Sequence, residues 1–164
     1  MTRPELPEPL EVLRPLIGVF SGEGEGDFPT VAPFRYHEEV SFLPRGPLLT
    51  YAQHTADPGS GNPMHAETGF LRRAGEDGLE LLLAHTFGLT ELQEGRLEVA
   101  PEPGVALRLT LQSTNIGVAG TAKRVDAVRR ELTVSGDQLR SELWMSYAGV
   151  SDTQHLWSVL ERNG

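Results

Sequence analysis

The sequence predicts an all-β protein, an antiparallel barrel or sandwich, on three observations. From residue 18 onward apolar residues recur at every second position. About nine or ten such runs follow one another at roughly even spacing. Between them stand Gly, Pro and Asp turns rather than helical stretches.

The elements follow in order. Leu10, Leu13, Leu16 and Ile17 recur at three- and four-residue intervals, which predicts a short helix over Pro9 to Ile17, brief or irregular because of Pro15. Next comes GVFSGEGEGDFPT, residues 18 to 30. A phosphate-cradling loop would be glycine-rich too, but it leads into a helix N-terminus. Here Glu23, Glu25 and Asp27 alternate with the glycines and would repel phosphate, and no helical pattern follows. A nucleotide site is excluded. Residues 36–42 and 48–54 read as strands about the turn Pro44-Arg45-Gly46-Pro47. After the loop DPGSGNP come strands at 67–73 and 79–85, then two short runs punctuated by Gly88 and Gly95. Val105, Leu107, Leu109 and Leu111 share one face of a strand over 105–113. Runs at 122–129, 130–134, 139–147 and 153–161 complete the chain. No linker or repeat divides residues 1–164, so one domain is expected. A closed barrel leaves no free edges, and a large one encloses a cavity.

Composition narrows the function. A net charge of −9 without a Lys/Arg cluster argues against nucleic acid and against an acidic membrane surface. The absence of cysteine removes disulfides, thiolate metal sites and cysteine nucleophiles, and suits a reducing cytoplasm. There is no apolar run of membrane-spanning length, and the N-terminal stretch, rich in Pro and Glu, lacks the core of a signal peptide.

Five histidines carry the available chemistry: His37, His54, His65, His85 and His155. None are paired at the helical i, i+4 spacing of a zinc site. A strand histidine is ordinarily exposed or hydrogen-bonded, and His37 and His54 are read that way. His65 lies at a loop-to-strand junction, where it can lean over a barrel mouth. His85 ends an apolar strand as a buried, satisfied ring. His155 stands among Leu156, Trp157, Val159 and Leu160, where a neutral imidazole serves equally as a haem ligand or as core. Glu38 and Glu39 point to opposite faces and make no carboxylate pair. Lys123 is a surface lysine or a rim cation for a carboxylate. No serine–histidine–acid triad is evident.

The sequence resembles the nitrobindin family from about Leu10 to Arg162. The family's G-x-W-x-G-x-G motif corresponds to Gly18 to Gly24, with Phe20 at the tryptophan position, and Asp27-Phe28-Pro29-Thr30 follows. FRYHEEVSF, PMHAETGFLR, LLLAHTFGLTE, TAKRV, GDQLRSELWM and QHLWSVLER agree in order and spacing. The resemblance implies a ten-stranded antiparallel up-and-down barrel, similar to lipocalins and fatty-acid-binding proteins, with the glycine stretch as its first strand. It also implies haem b at one mouth, the ferric iron ligated by His155. Thr30, His65 and Lys123 match positions near the haem or associated with its binding.

Family members with the histidine isomerise peroxynitrite to nitrate and bind nitric oxide, so the expected partners are small molecules. A homodimer is compatible with this reading. The competing function is a non-catalytic carrier of haem or of an apolar, fatty-acid-like molecule in the same barrel. Two features stand against the expected pattern. Phe20 lacks the indole N–H, which touches a local hydrogen bond and the pocket shape, and Thr86 follows His85 where proline is common. The acidic balance would also slow an anionic substrate.

Overall fold

The computed structural model describes residues 5–164. Ten strands follow in chain order: β1 (Gly18–Phe28), β2 (Val31–Arg45), β3 (Leu48–Ala56), β4 (Pro63–Ala74), β5 (Gly78–His85), β6 (Leu89–Val99), β7 (Leu107–Val118), β8 (Ala127–Ser135), β9 (Gln138–Tyr147) and β10 (Val150–Arg162). Each pairs antiparallel with its chain neighbours, and β10 pairs with β1 to close the barrel. The expected ten-stranded up-and-down barrel is therefore the observed one.

The N-terminal helical segment is short and irregular as expected, α1 (Glu8–Glu11) followed by a 3-10 turn over Arg14–Leu16, because Pro15 cannot extend an α-helical ladder. Two local readings are corrected. The runs at 122–129 and 130–134 are one strand, β8, and residues 119–126 form the loop before it. Gly95 does not break β6. It lies opposite Leu111 inside a continuous ladder, where an added Cβ would stand 1.8 Å from the Thr110 carbonyl oxygen.

The two ends of the barrel differ. At one end Leu10, Leu13 and Leu16 pack into a leucine-rich core with Phe42, Leu71, Leu79, Leu107 and Leu139. Arg162 fastens this plug: its guanidinium donates to the carbonyls of Ile17 and Pro15 and lies 4.5 Å from the centroid of Phe20. Phe20 is completely buried here, at the closed end, so the missing indole N–H does not bear on the cavity.

The glycine stretch earns its composition by alternation. Glu23, Glu25 and Asp27 face outward, whereas Gly24 and Gly26 face inward beneath the rings of Tyr36 and Phe34 from β2. A Cβ on Gly24 would lie 2.4 Å from the Tyr36 ring, and one on Gly26 2.2 Å from the Phe34 ring. With no side chain at Gly24 or Gly26, those two aromatics can pack against the β1 backbone and wall the open end.

Candidate functional site

The open end holds a cavity of about 480 Å3, within the range of small-molecule sites. One wall is β10 with β1, where two irregularities meet. The register of β10 against β9 shifts between Gln154 and Leu156, making His155 the extra residue of a bulge. The register of β1 against β2 shifts between Gly26 and Phe28, about Asp27. Bulges re-aim side chains. Here His155 turns toward the cavity and its Nδ1 donates to the Asp27 carbonyl oxygen at 3.0 Å. That bond assigns the proton to Nδ1 and leaves the Nε2 lone pair free. Phe28 and Phe34 meet the imidazole edge-on at 5.5 and 6.1 Å between centroids. Burial holds the His155 pKa below its ordinary value, with the Asp27 carbonyl only partly opposing, so the ring stays neutral.

The opposite wall is polar. β5 stands five strands from β10 in either direction around the ring, so His85 faces His155 across the mouth. The His85 Nε2 lies 2.5 Å from Glu91 Oε2, and its Nδ1 lies 3.0 Å from Glu67 Oε2. His65 brings its Nε2 to 3.4 Å from the same Glu67 oxygen and 3.3 Å from His85 Nδ1, while its ring stacks at 4.8 Å on Phe87. The other oxygen of Glu67 accepts from Tyr51 at 2.5 Å and from Arg130 at 2.6 Å. Burial works against charge on His85, but its bonds to Glu67 and Glu91 outweigh that and push its pKa up to about 9. Burial likewise opposes the Glu67 carboxylate, yet Arg130 and the two histidines hold it well below the usual range. Deeper in, Glu38 is buried and takes a 3.2 Å bond from the Gln53 amide.

Between these walls the lining is apolar. Leu89, Val128, Leu143, Met145 and Leu156 face the cavity. At its mouth Met64 and Phe87 are solvent-exposed, the latter at 63%, an uncovered apolar rim.

The sequence-predicted residues therefore divide. His65 and His155 line the cavity on opposite walls. Thr30 is exposed in the turn after Phe28, and Lys123 is exposed in the loop that also carries the cavity-lining Val125; neither lines the cavity itself. His37 and His54 are exposed on the outside, His54 3.6 Å from Glu39, as expected. The sequence reading missed Glu67, Glu91 and Arg130. Their signal is charge in phase with inward apolar positions: Arg130 with Val128, Leu132 and Val134, Glu91 with Leu89, and Glu67 with Leu71.

Comparison with known proteins agrees with this architecture. Residues 9–162 match the family described as a THAP4-like, heme-binding beta-barrel domain. The chain is similar to a peroxynitrite isomerase of Nocardia farcinica, 44% identical over 94% of this chain and 90% of that protein. It is likewise 42% identical to peroxynitrite isomerase 1 of Mycobacterium tuberculosis, over 99% of both. The crystal structure of Rv2717c from M. tuberculosis superposes with a TM-score of 0.91 at 41% identity, covering 98% of this chain and 100% of that one. With this match across nearly its whole length, the chain belongs to the THAP4-like heme-binding β-barrel family, in agreement with the resemblance to nitrobindins.

Proposed function

We propose that this protein is a haem b-dependent peroxynitrite isomerase that converts peroxynitrite to nitrate and also binds nitric oxide. The observation that carries the reading is His155: a neutral imidazole on a strand bulge, its Nδ1 proton committed to a backbone carbonyl and its Nε2 free toward an apolar cavity. A ligating histidine is oriented by this kind of bond on its other nitrogen. The residues present also fit the rest of the cofactor. A flat, largely apolar macrocycle would suit the lining of Leu143, Met145 and Leu156, and the exposed apolar rim of Met64 and Phe87 gives it further apolar surface to meet. Relatives bearing the name peroxynitrite isomerase support the activity.

In this reading His155 Nε2 holds the iron, and Phe28 and Phe34 keep the imidazole plane from turning. Ferric haem, when bound, would supply a Lewis acid for a small anion. The chain's own part is placement and charge. The apolar walls exclude water from the reacting anion, and the buried Arg130 and His85 counter the negative charge of the neighbouring carboxylates. His65 lies on the cavity wall facing His155. Lys123 and Thr30, exposed in loops flanking the cavity, would be the residues to pair with polar groups of the cofactor outside it. With no cysteine and no triad, the polypeptide offers no nucleophile of its own. Action in the cytoplasm is our reading of the cysteine-free composition; among the described residues no helix is long and apolar enough to cross a membrane.

Titration with ferric haem tests the assignment. Wild type should develop a saturable Soret band at one equivalent, and His155→Ala should not, while keeping its far-ultraviolet β signature. An unchanged Soret band in His155→Ala would remove His155 as the ligand.

A further inference from the structure

The wall opposite His155 presents a second arrangement of metal-ligating atoms, built without reference to haem. His65 Nε2, Glu67 Oε2 and His85 Nδ1 converge, with mutual separations of 3.4, 3.0 and 3.3 Å. For bonds of about 2.1 Å, two ligands of one metal ion stand ~3.4 Å apart in a tetrahedron and ~3.0 Å apart in an octahedron. All three separations fall at or between those values.

The surroundings are those of ligands rather than of an ordinary ion pair. Glu91 lies 2.5 Å from His85 Nε2 and accepts a hydrogen bond from it, which fixes the ring with Nδ1 turned inward, where a metal ion would displace the Nδ1 proton. Arg130 and Tyr51 both engage Glu67 Oε1, which commits that oxygen and leaves Oε2 to the two imidazoles alone. With the Nδ1 proton displaced, three ligand atoms converge on one point, which a metal cation would fill in place of the proton. The side chains of Glu67 and His85 are 4% and 9% exposed, and that of His65, at 20%, opens to the cavity and gives an ion its way in.

We infer that His65, Glu67 and His85 form a second metal site, for a divalent first-row transition ion, on the cavity wall facing His155. Two nitrogens and one carboxylate oxygen select zinc or ferrous-type ions over magnesium and calcium, which want oxygen cages. A solvent molecule from the cavity completes the coordination, as in sites with three protein ligands and one open position. The inference does not depend on the haem reading, since none of its ligands is His155.

The test uses zinc as the probe, on the full-length protein with and without haem. Calorimetry should give one zinc per chain, and zinc should raise the melting temperature as binding to the folded state requires. His65→Ala, the mildest ligand removal, should weaken zinc by on the order of 100-fold or more, and Glu91→Gln by about 10- to 100-fold, the range for a lost partner of a ligating histidine. His155→Ala and His54→Ala should bind zinc as wild type does, which separates this site from the haem ligand and from the exposed histidines. A folded His65→Ala that binds zinc as tightly as wild type would overturn the site. So would a wild type that takes up no zinc, since the central charge would then be a proton alone.

Discussion

At the scale of single residues, the ligand role proposed for His155 rests on one carbonyl. Nothing in QHLWSVLER distinguishes a bulged histidine from a core one, because a bulge depends on how β10 registers against β9. Its proposed role came only through resemblance, and the Asp27 contact is the physical observation that supports it. The polar wall was illegible for a similar cause: Glu67 meets Arg130 across 63 residues, and His85 meets His65 across 20. The in-phase charges were visible in principle, but dividing β8 at residue 130 hid the alternation that Arg130 belongs to. Glu38 is the most direct probe of that wall's electrostatics. Burial holds its carboxyl above the ordinary range, and the Gln53 amide only partly offsets this. Between the two pKa values the folded state keeps a proton that the unfolded chain has released, so stability falls as pH rises through that window. Glu38→Gln removes the titrating group. Its urea midpoint should exceed that of wild type at about pH 8 and fall less steeply from about pH 5 upward. Parallel pH profiles for the two proteins would show that Glu38 titrates normally.

Among the elements, strand number and spacing were legible because a barrel wall needs only period-two alternation and turns. Glycine misled the reading where it serves packing rather than a turn. Gly95 reads as punctuation, yet it sits mid-strand because the neighbouring β7 backbone leaves no room for a Cβ. Gly95→Ala should therefore destabilise by about 1–3 kcal/mol, the usual cost of overpacking, measured by denaturant unfolding. A loss within error of zero would mean that β6 and β7 can separate cheaply. The β9–β10 hairpin makes the opposite case. Its two turn residues, Ala148 and Gly149, both have positive φ, 52° and 81°. Such a turn favours Asn-Gly, and alanine is strained in the left-handed region. Ala148→Asn should stabilise by about 0.5–1 kcal/mol and leave haem uptake unchanged. A melting temperature that drops would contradict the turn geometry.

For the whole molecule, the barrel separates stability from function by end. Leucines and the α1 plug close one mouth, and the chemistry-bearing residues gather at the other. The net charge of −9 would slow a peroxynitrite anion in the bulk field, and in the proposed mechanism the buried Arg130 and His85 would offset it only within the cavity. Raising ionic strength should accordingly speed entry. The central claim is that activity belongs to haem held by His155, with the polypeptide supplying no nucleophile. Stopped-flow decay of peroxynitrite, with nitrate quantified at the end point, tests it most directly on three samples at matched concentration: haem-loaded wild type, apo-protein, and His155→Ala mixed with haem. Only the haem-loaded wild type should accelerate decay and shift the product toward nitrate. Equal decay rates and equal nitrate yields in all three samples would contradict the account and leave a carrier barrel in its place.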